Sequence, residues 1–131
     1  MAGREDMRLH QIGAALEDVE STRAFYEEVL GAKFLGHFDP PGLLFFDCGG
    51  VRILFEKGNS PAPIYLWVDD IDKEYERLRG VGVEFIEPPS LIFADEAGQF
   101  GPAGHEEWMA FFPDPSGNTL ALATQRLPSS A

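Results

Sequence analysis

The sequence predicts an α+β fold in which one strand–helix–three-strand unit occurs twice. Three observations predict it. Each half of the chain shows a strand-like segment, then an amphipathic helix, then further strand-like segments. Matching segments recur at steady offsets: Leu16-Glu17-Asp18-Val19 returns as Val68-Asp69-Asp70-Ile71 52 residues on, and Gly50-Val51-Arg52-Ile53-Leu54 as Gly117-Asn118-Thr119-Leu120-Ala121 67 residues on. Finally, Asp39-Pro40-Pro41-Gly42 and Gly49-Gly50 supply turn chemistry where the repeat needs its strands to end. Recurrence at fixed offsets marks a duplicated structural unit.

In the first unit, Leu9 to Leu16 reads as a strand, with Ile12, Ala14 and Leu16 alternating against Gln11, Gly13 and Ala15. Asp18 is placed to cap a helix, with Glu17 and Glu20 near its positive end and Gly31 to end it. Val19, Thr22, Phe25, Tyr26, Val29 and Leu30 form its apolar stripe. Strands are expected at about Lys33–Phe38, Leu43–Cys48 and Val51–Glu56. This first module spans about residues 8–57, and 58–62 reads as a linker.

The second module, about 63–125, opens with a strand from Ile64 to Val68. Asp70 caps a helix whose stripe is Ile71, Tyr75 and Leu78, closed by Gly80 and Gly82. Extended structure is expected to resume at Val83–Ile86 and to continue past Pro88-Pro89 through Leu91-Ile92-Phe93. Asp95 to Gly104 reads as a loop within an insertion of roughly Glu87 to His105, and Trp108–Phe112 and Thr119–Ala123 complete the set.

With 131 residues, 44% of them hydrophobic and 24% charged, the chain has globular composition and the size of one domain. No apolar run is long enough to span a bilayer, and Met1–Asp6 lacks the apolar stretch of a signal peptide, so cytoplasmic residence is expected. A net charge of -12 argues against nucleic acid or an anionic membrane as partner and is compatible with a cationic ligand. The lone cysteine, Cys48, lies in an apolar run and is expected to be a buried small hydrophobe.

Two segments carry a family resemblance. Ile12-Gly13-Ala14-Ala15-Leu16-Glu17-Asp18-Val19 with the helix that follows to Gly31 resembles the opening strand and helix of the vicinal-oxygen-chelate proteins. Phe111-Phe112-Pro113-Asp114-Pro115-Ser116-Gly117-Asn118 resembles their closing hairpin, and Val68-Asp69-Asp70-Ile71 the start of their second module. The resemblance implies two βαβββ modules in pseudo-twofold arrangement, whose mixed sheet curls around a cavity. Glyoxalase I and extradiol dioxygenases of this superfamily hold a divalent metal there. The bleomycin-resistance branch sequesters its ligand without one. A homodimer is expected on the same grounds.

The metal-ligand positions implied by that resemblance map onto Gln11, Leu54, Pro63 and Ala121. A divalent ion needs several nitrogen or oxygen donors converging at about 2.0–2.2 Å, and one amide does not supply them. The expectation is therefore no metal and no other cofactor. A displaced site using Gln11, Glu56, His105 and Glu107 is the alternative; it would make the chain a divalent-metal-dependent lyase, isomerase or dioxygenase. His10, one residue out of phase with Gln11, is expected to point away from the cavity.

The expected ligand-binding residues are Gln11, Arg52, Leu54, Glu56, Tyr65, Trp67, Phe100, His105, Glu107 and Ala121. Tyr65 and Trp67 form an aromatic wall, Ala15, Ala121 and Ala123 a small-residue floor, and Phe100 stands on a loop able to act as a lid. The expected function is binding of a small aromatic or cationic organic compound. No catalytic residue is assigned.

Overall fold

A computed structural model describes residues 7–128; the reading of Met1–Asp6 as free of a signal peptide lies outside the described residues. Two compact units emerge. One runs through Ala62 and takes in Asp114–Asn118; the other comprises Pro63–Pro113 and continues from Thr119.

The first unit holds β1 (Gln11–Ala15), α1 (Val19–Ala24), β2 (Lys33–Phe38), β3 (Leu43–Cys48) and β4 (Val51–Glu56). The sheet order is β1-β4-β3-β2, with β1 parallel to β4 and the other pairs antiparallel. Asp18 caps α1 by accepting a hydrogen bond from the Ser21 N–H at 2.8 Å, as the sequence predicts. Past Ala24 the coil widens into a π-helix, Phe25–Val29, whose end is marked by Leu30 N–H donating to the Phe25 carbonyl at 3.0 Å. Gly31 then reverses the chain at φ 77°, a conformation open mainly to glycine. Alternation puts Ala14, Leu44, Phe46, Ile53 and Phe55 on the buried face, and all lie at or below 3% exposure. Thr22 and Tyr26 of the helix are buried as well, and the Tyr26 ring lies 4.6 Å from Phe55 and 5.7 Å from Phe46.

The second unit holds β5 (Pro63–Trp67), α2 (Ile71–Gly80), β6 (Ser90–Asp95), β7 (His105–Pro113) and β8 (Thr119–Arg126), in sheet order β5-β8-β7-β6. Its parallel pair repeats that of the first unit. Gln11 stands opposite Arg52 in β1–β4, and Pro63 opposite Thr119 in β5–β8, displaced by the same 52 and 67 residues read from the sequence. Asp70 caps α2 through the Lys73 N–H, and Ile71 and Leu78 are buried beneath it.

Two expectations are corrected. Val83–Ile86 is not a strand: Val83 and Phe85 alternate because they tuck in beside α2, where Phe85 meets Tyr75 at 4.7 Å and Phe112 at 4.9 Å. Only Ile86 N–H reaches the sheet, at the Phe111 carbonyl, and Pro88 and Pro89 have no N–H to extend a ladder. The strand forms later, at Ser90–Asp95, with a bulge between Leu91 and Phe93. Likewise β7 begins at His105, not Trp108, because the insertion lengthens the β6–β7 hairpin. Among the described residues, no helix is long and apolar enough to cross a membrane.

Candidate functional site

The open face of the first sheet follows from its register. Lys33, Asp47, Arg52 and Gln11 form one row across β2, β3, β4 and β1; Gly36, Phe45, Leu54 and Gly13 form the next. Side chains in these rows share the face opposite the buried core. There a groove of about 380 Å³ is lined by Gln11, Leu35, Gly36, Phe38, Phe45 and Arg52. Phe38 and Phe45 meet edge to face, 5.9 Å between ring centres, and form its apolar wall. Gly36 lets the Phe38 ring lie close, since a Cβ there would stand 3.0 Å from that ring.

Arg52 is the polar feature of this groove. Its Nε donates to Gln11 Oε1 at 2.7 Å, and its Nη2 lies 3.0 Å from His10 Nε2. Arginine has only donors, so His10 Nε2 accepts, which places the His10 proton on Nδ1. His10 is itself exposed and is not among the residues that line the groove.

Of the residues expected to bind ligand, Gln11, Arg52, Leu54 and Glu56 do share one face of the first sheet. Glu56 pairs with Ala15, four residues along β1 from Gln11, a separation of about 13 Å at strand rise. On the second sheet Tyr65 stands opposite Ala121 and Trp67 opposite Ala123. Both aromatic residues are exposed, and Tyr65 meets Phe111 edge to face. The Trp67 indole N–H donates to Asp69 at 2.9 Å.

His105 is no loop residue. It sits in β7 at 1% exposure, its Nδ1 2.8 Å from the Pro102 carbonyl and 3.5 Å from Asp95 Oδ2. The carbonyl can only accept, so Nδ1 carries a proton. Nε2, 3.8 Å from Glu107 Oε1, has no hydrogen-bond partner among the described residues. Gln125 Nε2 bridges Glu107 Oε1 and the Phe100 carbonyl, tying the 96–104 turn to β7 and β8. Asp95 accepts N–H bonds from Phe100 and Gln99, which, the Phe100 bond foremost, hold its carboxyl below the usual carboxylate range. The Phe100 ring itself is exposed, 5.8 Å from Phe93.

The residues at the family's metal-ligand positions do not fit a divalent ion. Gln11 Oε1 already accepts from a guanidinium, whose positive charge opposes a metal at that atom. Leu54 and Ala121 carry hydrocarbon only, and Pro63 offers no side-chain donor. Among the described residues, no three His, Cys, Asp or Glu side chains gather where they could hold an ion.

Sequence reasoning missed Leu35, Gly36, Phe38 and Phe45. The signal was available for Phe45, because extending the Arg52–Leu54 face across the Gly49-Gly50 hairpin places it beside them.

Comparison with known proteins agrees with this architecture. No curated protein matches the chain. Lactoylglutathione lyase from Agrobacterium tumefaciens superposes with a TM-score of 0.70 at 17% identity, covering 92% of this chain and 96% of that one. TnmS3, an antibiotic binding protein from Streptomyces sp. CB03234, gives 0.70 at 20% identity, over 97% of this chain and 100% of that one. A superfamily member from Sphaerobacter thermophilus gives 0.68 at 25% identity, over 90% and 97%. The family model itself matches residues 8–122, nearly the whole duplicated unit, and the chain belongs to the Glyoxalase/Bleomycin resistance protein/Dioxygenase superfamily.

Proposed function

We propose that this chain is a binding protein of its superfamily that holds a small aromatic compound on the open face of its first sheet, without the usual metal. The observation that carries the reading is the groove beside Arg52, with Phe38 and Phe45 as its wall. Such a site suits an aromatic ligand: apolar area supplies affinity, and a few polar groups set orientation. The unsuitable residues at Gln11, Leu54, Pro63 and Ala121 favour binding over metal-dependent catalysis. A structural neighbour of similar length is an antibiotic binding protein, in keeping with this role.

The test is a thermal-shift screen of aromatic compounds, since a ligand at a hundredfold its dissociation constant stabilises by roughly 2.7 kcal/mol. Phe45→Ala should abolish the shift, and Trp67→Ala on the second sheet should preserve it. The reverse pattern would place the site at Tyr65 and Trp67. About one transition-metal ion per chain in purified protein would overturn the metal-free reading.

A further inference from the structure

We infer that the ligand of this groove is an aromatic acid, its carboxylate read by the Nη edge of Arg52 and its ring lying against Phe38 and Phe45. This rests on the reading that the groove binds a small aromatic molecule, and adds the charge of that molecule.

The chain carries 22 acidic and 10 basic residues. Arg23, Arg77, Arg79 and Arg126 each form an ion pair with a neighbouring acid. Arg52 is different. Its two partners, Gln11 Oε1 and His10 Nε2, are both uncharged acceptors, and among the described residues no carboxylate lies within ion-pair distance. These partners take Nε and Nη2, fixing the plane of the guanidinium without neutralising it. The Arg52 hydrogen bonds run through Nε and Nη2, leaving Nη1 without a partner among the described residues, on a side chain that lines the groove. A half-buried, oriented and uncompensated guanidinium next to two phenyl rings is a carboxylate receptor: the fork matches two oxygens, and the ring beyond them meets apolar surface. A cationic ligand would instead meet like charge at the point where the groove offers its polar group.

One acid opposes this assignment and sharpens its test. Asp47 stands opposite Arg52 in the β3–β4 register, flanked on its other side by Lys33. It forms no ion pair with Arg52, but it shares the same face and lowers the local potential for an anion.

The experiment titrates 1-naphthoate and benzoate, each beside its neutral amide, into the full chain by calorimetry at low salt. The acid should bind at least about tenfold tighter than its amide, as charge-assisted pairing with arginine requires. Arg52→Gln should bring acid and amide within about twofold of each other, whatever it does to the affinity of both. Arg52→Lys should recover only part of the preference, because lysine lacks the planar fork. Asp47→Asn should tighten the acid by about twofold to fivefold, the range of an exposed charge pair. Equal binding of acid and amide by the unaltered chain would overturn the inference and leave the aromatic-binding reading standing. If neither member of either pair binds but other aromatic compounds do, the inference also fails alone. If no aromatic compound binds, both fail. The comparison within the unaltered chain needs no variant to fold.

Discussion

Tyr26 donates its phenolic hydrogen bond to Asp114 Oδ2 at 2.7 Å, although 88 residues separate them. The bond anchors the Asp114–Asn118 turn inside the first unit. Asp114 also accepts from the Ser116 and Asn118 backbone N–H groups and from Asn118 Nδ2. Asn118 in turn exchanges hydrogen bonds with the backbone of Ala15 and accepts from Ala62 N–H. Ser116 meets Thr22 and the Glu17 N–H. These groups are buried, and the network leaves them satisfied, which is what makes polar side chains tolerable there. The family's closing-hairpin motif is thus a clasp in this chain.

Removing the clasp's hydroxyl should destabilise without unfolding. Tyr26→Phe leaves Asp114 its other three donors, so the expected loss is about 1–2 kcal/mol in urea denaturation. Burial first, and then the Asp114 charge, push the Tyr26 phenol far above its ordinary value. The folded chain therefore holds this proton more tightly than the unfolded chain does. The resulting stability is complete below the unfolded phenol's pKa of about 10 and is lost as pH rises beyond it. Alkaline unfolding should accordingly begin at higher protein stability in Tyr26→Phe than its neutral-pH loss implies, so the gap between the two proteins narrows above about pH 10.

Much of this architecture was legible because local chemistry and tertiary demand coincide. β2, β3 and β4 lie at their expected bounds, since Pro, Gly and Asp residues end them whatever the surroundings. β6 was not legible. Val83 and Phe85 alternate like a strand while packing beside α2, and the bulge at Ile92 breaks the period-two signal where the strand truly lies. The groove was half legible. Gln11 and Arg52 could each be named from the sequence, but their hydrogen bond spans 41 residues and depends on the β1–β4 register. The burial of His105 depends on a turn folding over it. Gly101 permits that approach, because a Cβ there would collide with the Gln125 side chain and crowd the His105 ring.

That turn gives an acid-side prediction. Asp95 holds its carboxyl below the ordinary range, through the Phe100 N–H first and the Gln99 N–H and His105 further down. A depressed folded pKa means the unfolded chain binds the proton more readily. The contribution is present above the unfolded value of about 3.9 and is lost as pH falls through the folded value. Asp95→Asn should therefore flatten the loss of stability below about pH 4 while lowering stability at neutral pH. Hydrogen exchange should show the 96–104 amides opening first in that variant. Unchanged exchange there would mean that Asp95 does not hold the turn.

Cys48 closes β3 half-buried beside Asp47, and its thiol titrates above the ordinary value, through burial first and then the Asp47 charge. Both causes disfavour the thiolate, which is the nucleophilic form. The folded chain should consequently react with iodoacetamide several-fold more slowly than glutathione at mildly alkaline pH, and at the ordinary thiol rate in urea. Asp47→Asn removes the second cause only, so the rate should rise slightly and remain below that of the unfolded chain. The same substitution is expected to tighten an aromatic acid at Arg52. One variant thus probes the charge of Asp47 from both neighbours in the sheet, and a change at Cys48 without one at Arg52 would separate the two effects.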